Sequence, residues 1–191
     1  MFYPKIRRLP IYGCCYRKEV LSEDEIKLLF SNEVVIEEKI DGKFMWKEVD
    51  NYIIFLEYMR IRHEILYTKL PCYEIAFDVY DKSSKKFLPV PEKHEVLKSC
   101  SICYVPVLFI GTIDYNSWED TLLKIMRRPS YYGAKLMEGI VVKNYRRQLF
   151  AKAINREFDE AIKGKEHYIR RKKTEYNKLY KGNEWLKLCY P

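Results

Sequence analysis

The feature that most narrows the fold is a series of short segments in which apolar and polar residues alternate, separated by turn residues. Between residues 33 and 41, Val34, Ile36 and Ile40 alternate with Val35, Glu37, Lys39 and Asp41. That period of two predicts a half-buried strand with Lys39 and Asp41 on one face. Residues 43–47 and 52–58 flank Val49-Asp50-Asn51, a hairpin turn signal, and residues 74–80 form a further apolar strand. Antiparallel pairing therefore dominates the first half. A second hairpin-like region spans residues 135–143 and 148–154 around Asn144-Tyr145-Arg146-Arg147.

Helical signals lie between these segments. Ser22-Glu23-Asp24-Glu25 has the form of a capping box and predicts a helix over about residues 22–31, ended by Asn32. Pro89 and Pro91 interrupt the middle of the chain, followed by a short helix over residues 92–99 and a buried strand over 104–110. Ser117-Trp118-Glu119-Asp120 caps another helix, which Pro129 stops. From Glu157 the pattern is helical, basic and rich in tyrosine, so residues 1–156 read as the main domain and 157–191 as a basic extension packed on it.

The 191 residues, 48% hydrophobic and 32% charged, suffice for one domain with a real core. Lys and Arg number 35 against 27 Asp and Glu, and the net charge of +8 points towards a polyanionic partner such as nucleic acid or nucleotide phosphate. No apolar run approaches the ~18–20 residues that span a bilayer, and the first residues carry no apolar signal core. A cytoplasmic monomer with no membrane partner is expected. The six cysteines are sparse and unevenly spaced, and reduced thiols are expected. Cys100 and Cys103 have zinc-knuckle spacing without a second pair, so no zinc site is expected there.

The segment that bears most on chemistry is Glu37-Glu38-Lys39-Ile40-Asp41-Gly42. It sets an amine on a strand face, then a carboxylate, then a glycine that allows close backbone approach. Downstream, in order, come Phe55-Leu56-Glu57-Tyr58, then Phe77-Asp78-Val79-Tyr80-Asp81, then Met137-Glu138-Gly139-Ile140-Val141-Val142-Lys143, then Phe150-Ala151-Lys152-Ala153. In this order the segments resemble motifs I, III, IIIa, IV and V of the covalent nucleotidyltransferase superfamily of polynucleotide ligases and RNA capping enzymes. The resemblance is greatest to its short second-type RNA ligases and covers roughly residues 4–180.

That resemblance implies an α+β nucleotidyltransferase fold, with antiparallel sheets around an ATP pocket and helices outside. It implies an ATP-dependent RNA ligase that seals 3′-hydroxyl and 5′-phosphate ends, as in RNA repair, with RNA, an RNA/DNA hybrid or a nicked duplex as the nucleic-acid partner. A bacterium or a phage- or virus-infected cell would be the setting. Lys39 would attack ATP to give a lysyl-adenylate, AMP would pass to a 5′-phosphate end, and a 3′-hydroxyl would displace it. Catalysis would fall to Lys39, Asp41, Glu138 and Lys152. Nucleotide binding would involve Glu38, Lys39, Gly42, Glu57 at the ribose, Phe77 against adenine, Glu138, and Lys143 and Lys152 at phosphate. Magnesium or manganese would be held by Glu138 and Asp78, with Asp41 as a helper.

The chemistry suits these residue types. A lysine of ordinary pKa near 10.4 needs help to lose its proton, and nearby lysines disfavour a second buried cation. Charge developing at the α-phosphate is met by cations and positioning. Magnesium, which keeps most of its waters, needs only one or two carboxylates besides phosphate.

Four positions depart from the family pattern. Leu56 replaces the usual glycine before Glu57, Phe150 stands where motif V often has a first lysine, and Phe44 and Lys47 occupy the places of an arginine after motif I. Lys47 is the candidate substitute, without an arginine's bidentate fork. A separate C-terminal substrate domain is not expected, and Arg170, Arg171, Lys172 and Lys173, among tyrosines, are candidates for nucleic-acid contact. A DNA-nick ligase and a capping-type enzyme are alternatives within the same class. A non-catalytic nucleic-acid-binding module on the same fold is the alternative outside it.

Overall fold

The computed structural model describes residues 3–13, 19–163 and 174–181. In chain order the elements are β1 (Arg7–Arg8), α1 (Glu23–Leu29), β2 (Val34–Lys39), β3 (Lys43–Val49), β4 (Tyr52–Tyr58), β5 (Glu74–Asp81), β6 (Lys86–Phe87), α2 (Val90–Ser99), β7 (Cys103–Tyr104), β8 (Val107–Gly111), α3 (Trp118–Met126), β9 (Gly139–Asn144), β10 (Leu149–Ile154) and α4 (Arg156–Lys163). They build two sheets. The first has the order β1-β10-β9-β2-β8, and the second β3-β4-β5-β6, with β7 against β5. Apart from β1 on β10 and β7 on β5, every pairing between these strands is antiparallel.

Alternation along β2, β9 and β10 decides which face of the first sheet is apolar. Val34, Ile36, Ile140, Val142, Ala151 and Ala153 pack with Ile26 and Leu29 of α1 and Leu122, Ile125 and Met126 of α3. Each large side chain so buried contributes roughly 1.5–3 kcal/mol, which fixes the strand register and turns the alternate residues towards the second sheet. On the far side of that second sheet, Ile54, Leu56, Ala76 and Val79 pack against Leu97 of α2.

The local signals act as their chemistry dictates, with three corrections. At α1 the Ser22 hydroxyl accepts from the Glu25 N–H while the Glu25 carboxylate accepts from the Ser22 N–H, completing the capping box. The helix expected over 92–99 begins at Val90, because Pro91 sits in the first turn, where its missing N–H has no partner to lose. The single strand expected over 104–110 is divided at Pro106: β7 joins the second sheet and β8 the first. Ser117 precedes α3 without a side-chain cap, its hydroxyl donating instead to the Asp114 carbonyl at 3.3 Å.

Cys72 and Cys100 are free thiols, whereas Cys103 is disulfide-bonded, against the expectation of reduced cysteines throughout. Among the described residues no helix is long and apolar enough to cross a membrane.

Candidate active site

The faces of the two sheets that look away from these helices meet across a cavity of about 260 Å³. The first sheet lines it with Glu37 and Lys39 of β2, Val141 and Lys143 of β9, and Lys152 of β10; the second contributes Phe44, Glu57 and Phe77. Strand parity places the polar set: each of these first-sheet residues alternates with a core residue, so burying the apolar face brings three lysines to one site.

Lys39 ends β2, directly across from Gly139 of β9. Its Nζ lies 2.6 Å from both carboxylate oxygens of Glu138, the residue before Gly139. A side chain at 139 would set its Cβ 2.1 Å from the Ala153 carbonyl oxygen, so the strand that carries Glu138 can approach β10 only as glycine. Burial pushes the Glu138 carboxyl pKa above its ordinary value, partly opposed by the Lys39 charge. Burial, with the charges of Lys39 and Arg8, lowers that of Lys152. Among the described residues Lys152 forms no ion pair, which leaves its ammonium available to an anion in the cavity.

Behind Lys39 lies a buried ionic network. Lys143 Nζ donates to Glu37 Oε2 at 2.6 Å, the Phe77 carbonyl at 2.7 Å and Asp78 Oδ1 at 2.7 Å, which uses its three protons. Lys93 of α2, fully buried, donates to Glu37 Oε1, the Phe77 carbonyl and the Tyr145 hydroxyl. Burial works against the Lys143 charge, but Asp78 and Glu37 outweigh it and raise its pKa; at Lys93 burial prevails and the pKa falls. Burial likewise opposes the Glu37 charge, and the two lysines overcome it and hold the carboxyl below its usual value.

Glu57 of β4 faces the same cavity, and its Oε2 is buried without a hydrogen-bond partner among the described residues. Burial pushes its carboxyl up to about 7, against the pull of Lys39. A buried acceptor left unbonded costs stability until a donor arrives, so Glu57 is suited to a ligand hydroxyl. Phe77 lies beside Tyr3, ring centroids 5.2 Å apart and edge-on, and the Tyr3 hydroxyl donates to Asp78 Oδ2.

Of the residues singled out in the sequence, Lys39, Glu57, Phe77, Lys143 and Lys152 therefore line one cavity, with Glu138 in contact with Lys39. Glu38 also lines it, but its carboxylate accepts from the Ser130 hydroxyl at 2.5 Å and the Tyr131 N–H at 2.9 Å, and burial raises its pKa to about 7. Asp41 is turned to the loop after β4, where Oδ2 accepts from the Glu64 and Ile65 N–H groups at 2.7 and 3.1 Å. Gly42 is closely packed: a Cβ there would meet Met59 Sδ at 2.6 Å. Asp78 is buried in the network, both its oxygens already hydrogen-bonded.

Lys47 is not brought to the cavity. It lies on the opposite face of β3 from Phe44 and pairs with Glu74 at 2.5 Å. Arg170, Arg171, Lys172 and Lys173 lie outside the described residues. The sequence reading missed Lys93, Tyr3 and Tyr145, and gave no role to Glu37, whose strand parity with Lys39 was the available signal. Among the described residues no group of three or more His, Cys, Asp or Glu side chains is placed to hold a metal ion. A divalent ion fits here only as one shared between Glu138 and oxygens of a ligand.

Comparison with known proteins identifies the family and the fold. The sequence pattern of the RNA ligase family matches residues 12–163. No curated protein matches the chain. Among solved structures, an archaeal ATP-dependent RNA ligase superposes with a TM-score of 0.59 at 18% identity, over 82% of this chain and 48% of the other. The Naegleria gruberi RNA ligase with pyrophosphate gives 0.56 at 18% identity, over 74% and 55%. A mutant of the Naegleria enzyme with ATP and manganese gives 0.54 at 16% identity, over 72% and 54%. The chain thus spans about half the length of these relatives and shares the α+β fold of their nucleotidyltransferase domains. With its family pattern covering most of the chain, the protein belongs to the RNA ligase family.

Proposed function

We propose that the chain is the adenylylating part of an ATP-dependent RNA ligase, with residues 1–156 as the nucleotidyltransferase domain and 157–191 as a basic extension against it. The carrying observation is the Lys39 amine, held by Glu138 in a cavity that also presents the Phe77 ring and, without partners among the described residues, the Glu57 oxygen and Lys152. The ion pair of Arg8 with Asp159, at 3.0 Å, supports the packing of the extension. ATP is the substrate by analogy with the ATP-dependent archaeal relative.

In this reading Lys39 gives a proton to Glu138, the acceptor in contact with it, and its nitrogen attacks the α-phosphorus of ATP. A phosphorus–nitrogen bond forms, the bond to the pyrophosphate oxygen breaks, and pyrophosphate leaves. Glu57 accepts hydrogen bonds from ribose hydroxyls and Phe77 offers a face to adenine. Lys152 neutralises phosphate charge directly, whereas Lys143, its protons committed, acts through the network that fixes β9 and Asp78. Magnesium or manganese, when bound by Glu138 and phosphate oxygens, supplies further positive charge at the phosphates. AMP then passes to the 5′-phosphate of an RNA end, and a 3′-hydroxyl displaces it. RNA, including hybrid or nicked duplexes, is the proposed partner of a monomer acting in the cytoplasm.

The test is the intact mass of the native protein and of Lys39→Ala after incubation with ATP and magnesium. An adduct of one AMP on the native chain alone supports the reading. Absence of any adduct on protein first stripped with pyrophosphate overturns it.

A further inference from the structure

Among the described residues β3 is an edge strand, hydrogen-bonded only to β4. Its Phe44, Trp46 and Glu48 share the face that looks onto the cavity, opposite Glu57, Phe55 and Ile53 of β4. Phe44 is 45% exposed and Trp46 50% exposed, although both are large apolar side chains. Scattered exposed aromatics need no explanation, but these two are neighbours on one face and continuous with the candidate active site. Phe44 lines the cavity itself and stacks on Phe55 at 6.2 Å with an interplanar angle of 26°. Trp46 lies one step farther out and has no ring partner among the described residues.

Two features favour a nucleic-acid strand as the occupant of this face. Residues two apart on a strand are spaced about 6.8 Å along it, twice the ~3.4 Å rise between stacked bases, so one flat base fits between two such side chains. Cationic groups lie beside this face: Lys152, which forms no ion pair among the described residues, and Lys39, paired with Glu138, line the cavity beyond Phe44, while of the acids on the face Glu57 lies inside the cavity and Glu48 is 3.8 Å from Lys82. An apolar ring platform beside cations is the combination that holds single strands, because every base has a stacking face while the phosphates need positive charge.

We propose that Phe44 and Trp46 form a stacking platform for the unpaired bases of a single-stranded RNA whose end enters the cavity. The proposal rests on the reading of the cavity as a nucleotidyl-transfer site, and it narrows the substrate class to ends with unpaired bases.

The test uses the full chain, without ATP, and a short 5′-phosphorylated oligoadenylate as the probe, with the same sequence in a blunt RNA duplex beside it. Equilibrium binding is measured for the native protein, Trp46→Ala and Trp46→Phe. Trp46→Ala is expected to weaken binding of the single strand about tenfold, the effect of losing one base–aromatic stack. Trp46→Phe is expected to recover most of that loss, and the duplex to change little. Equal single-strand affinity in the native and Trp46→Ala proteins overturns the proposal. So does an equal loss in Trp46→Phe, or an equal loss on the duplex, because neither is a stacking effect on unpaired bases. A native dimer that Trp46→Ala dissolves identifies the face as a protein interface and overturns it too. Since binding is read without ATP, absence of the AMP adduct would remove the ligase reading and leave this measurement standing as a separate result.

Discussion

The Lys39 amine is shared between the two carboxylate oxygens of Glu138, at 2.6 Å from each, across adjacent antiparallel strands. One carboxylate thus holds the nucleophile in place and is also the proton acceptor in contact with it. The two duties separate by substitution. Glu138→Gln retains shape and one acceptor oxygen but cannot take a proton. Time-resolved intact mass is expected to show AMP adduct formation slowed about a hundredfold or more, the usual weight of a lost acid–base group. The melting temperature is expected to move little, because a neutral amide avoids the burial cost that raises the Glu138 pKa. An unchanged rate would show that the proton leaves by another path.

The Glu37 network predicts a stability effect of a different size. Glu37 is 1% exposed and accepts from two buried ammonium groups, Lys93 and Lys143. Glu37→Leu leaves Lys143 with Asp78 but strips Lys93 of its only carboxylate among the described residues. An uncompensated buried charge costs roughly 3–5 kcal/mol, so urea denaturation is expected to show a loss of that order. A double substitution of Glu37→Leu with Lys93→Met removes both charges and is expected to recover part of the loss. If it recovers nothing, the cost lies in packing and not in charge.

Legibility followed range in sequence. The α1 capping box and the β3–β4 hairpin were readable because their determinants lie within a few residues of one another, as with Ser22 and Glu25. The cavity lysines were readable because strand parity and motif order act together. What escaped depends on partners far apart in the chain: Lys93 finds Glu37 across 56 residues, and Tyr3 finds Asp78 across 75. Nothing local distinguishes Lys93 from a solvent-facing helical lysine. Pro106 was visible, yet that the chain crosses there from one sheet to the other followed only from where β7 and β8 find edges. Asp78 was read as a carboxylate helping Glu138 to hold a metal; its burial with Lys143 depends on how the two sheets face each other.

Two glycines in the site differ in what a methyl group would meet. At Gly139 a Cβ lies 2.1 Å from the Ala153 carbonyl oxygen and 3.0 Å from the Ile154 Cα, both backbone atoms. At Gly42 the nearest atom, at 2.6 Å, is the side-chain sulfur of Met59, with the Tyr58 carbonyl oxygen at 3.0 Å. Backbone cannot yield without parting β9 from β10, whereas a thioether can turn. Gly139→Ala is therefore expected to cost about 3 kcal/mol or more and to displace Glu138, and Gly42→Ala about 1 kcal/mol. Denaturation midpoints order the two. A smaller loss for Gly139→Ala would show that the β9–β10 approach is looser than this geometry implies.

Glu57 carries the pH dependence that is simplest to isolate. Burial lifts its carboxyl from 4.5 to about 7 in the fold, so between those values the native state keeps a proton that the unfolded chain has released. Stability attributable to this group is present in full below pH 4.5 and is lost as the pH rises through 7. In Glu57→Gln that loss cannot occur. The variant is expected to melt higher than the native protein at pH 8, by the equivalent of at most about 3 kcal/mol, with the advantage shrinking towards pH 5. ATP is expected to narrow the gap at pH 8, because ribose hydroxyls then satisfy the oxygen that the unliganded fold leaves unbonded. Parallel melting curves at all pH values would mean that Glu57 reaches water in solution, and the nucleotide would then gain nothing from an unsatisfied acceptor.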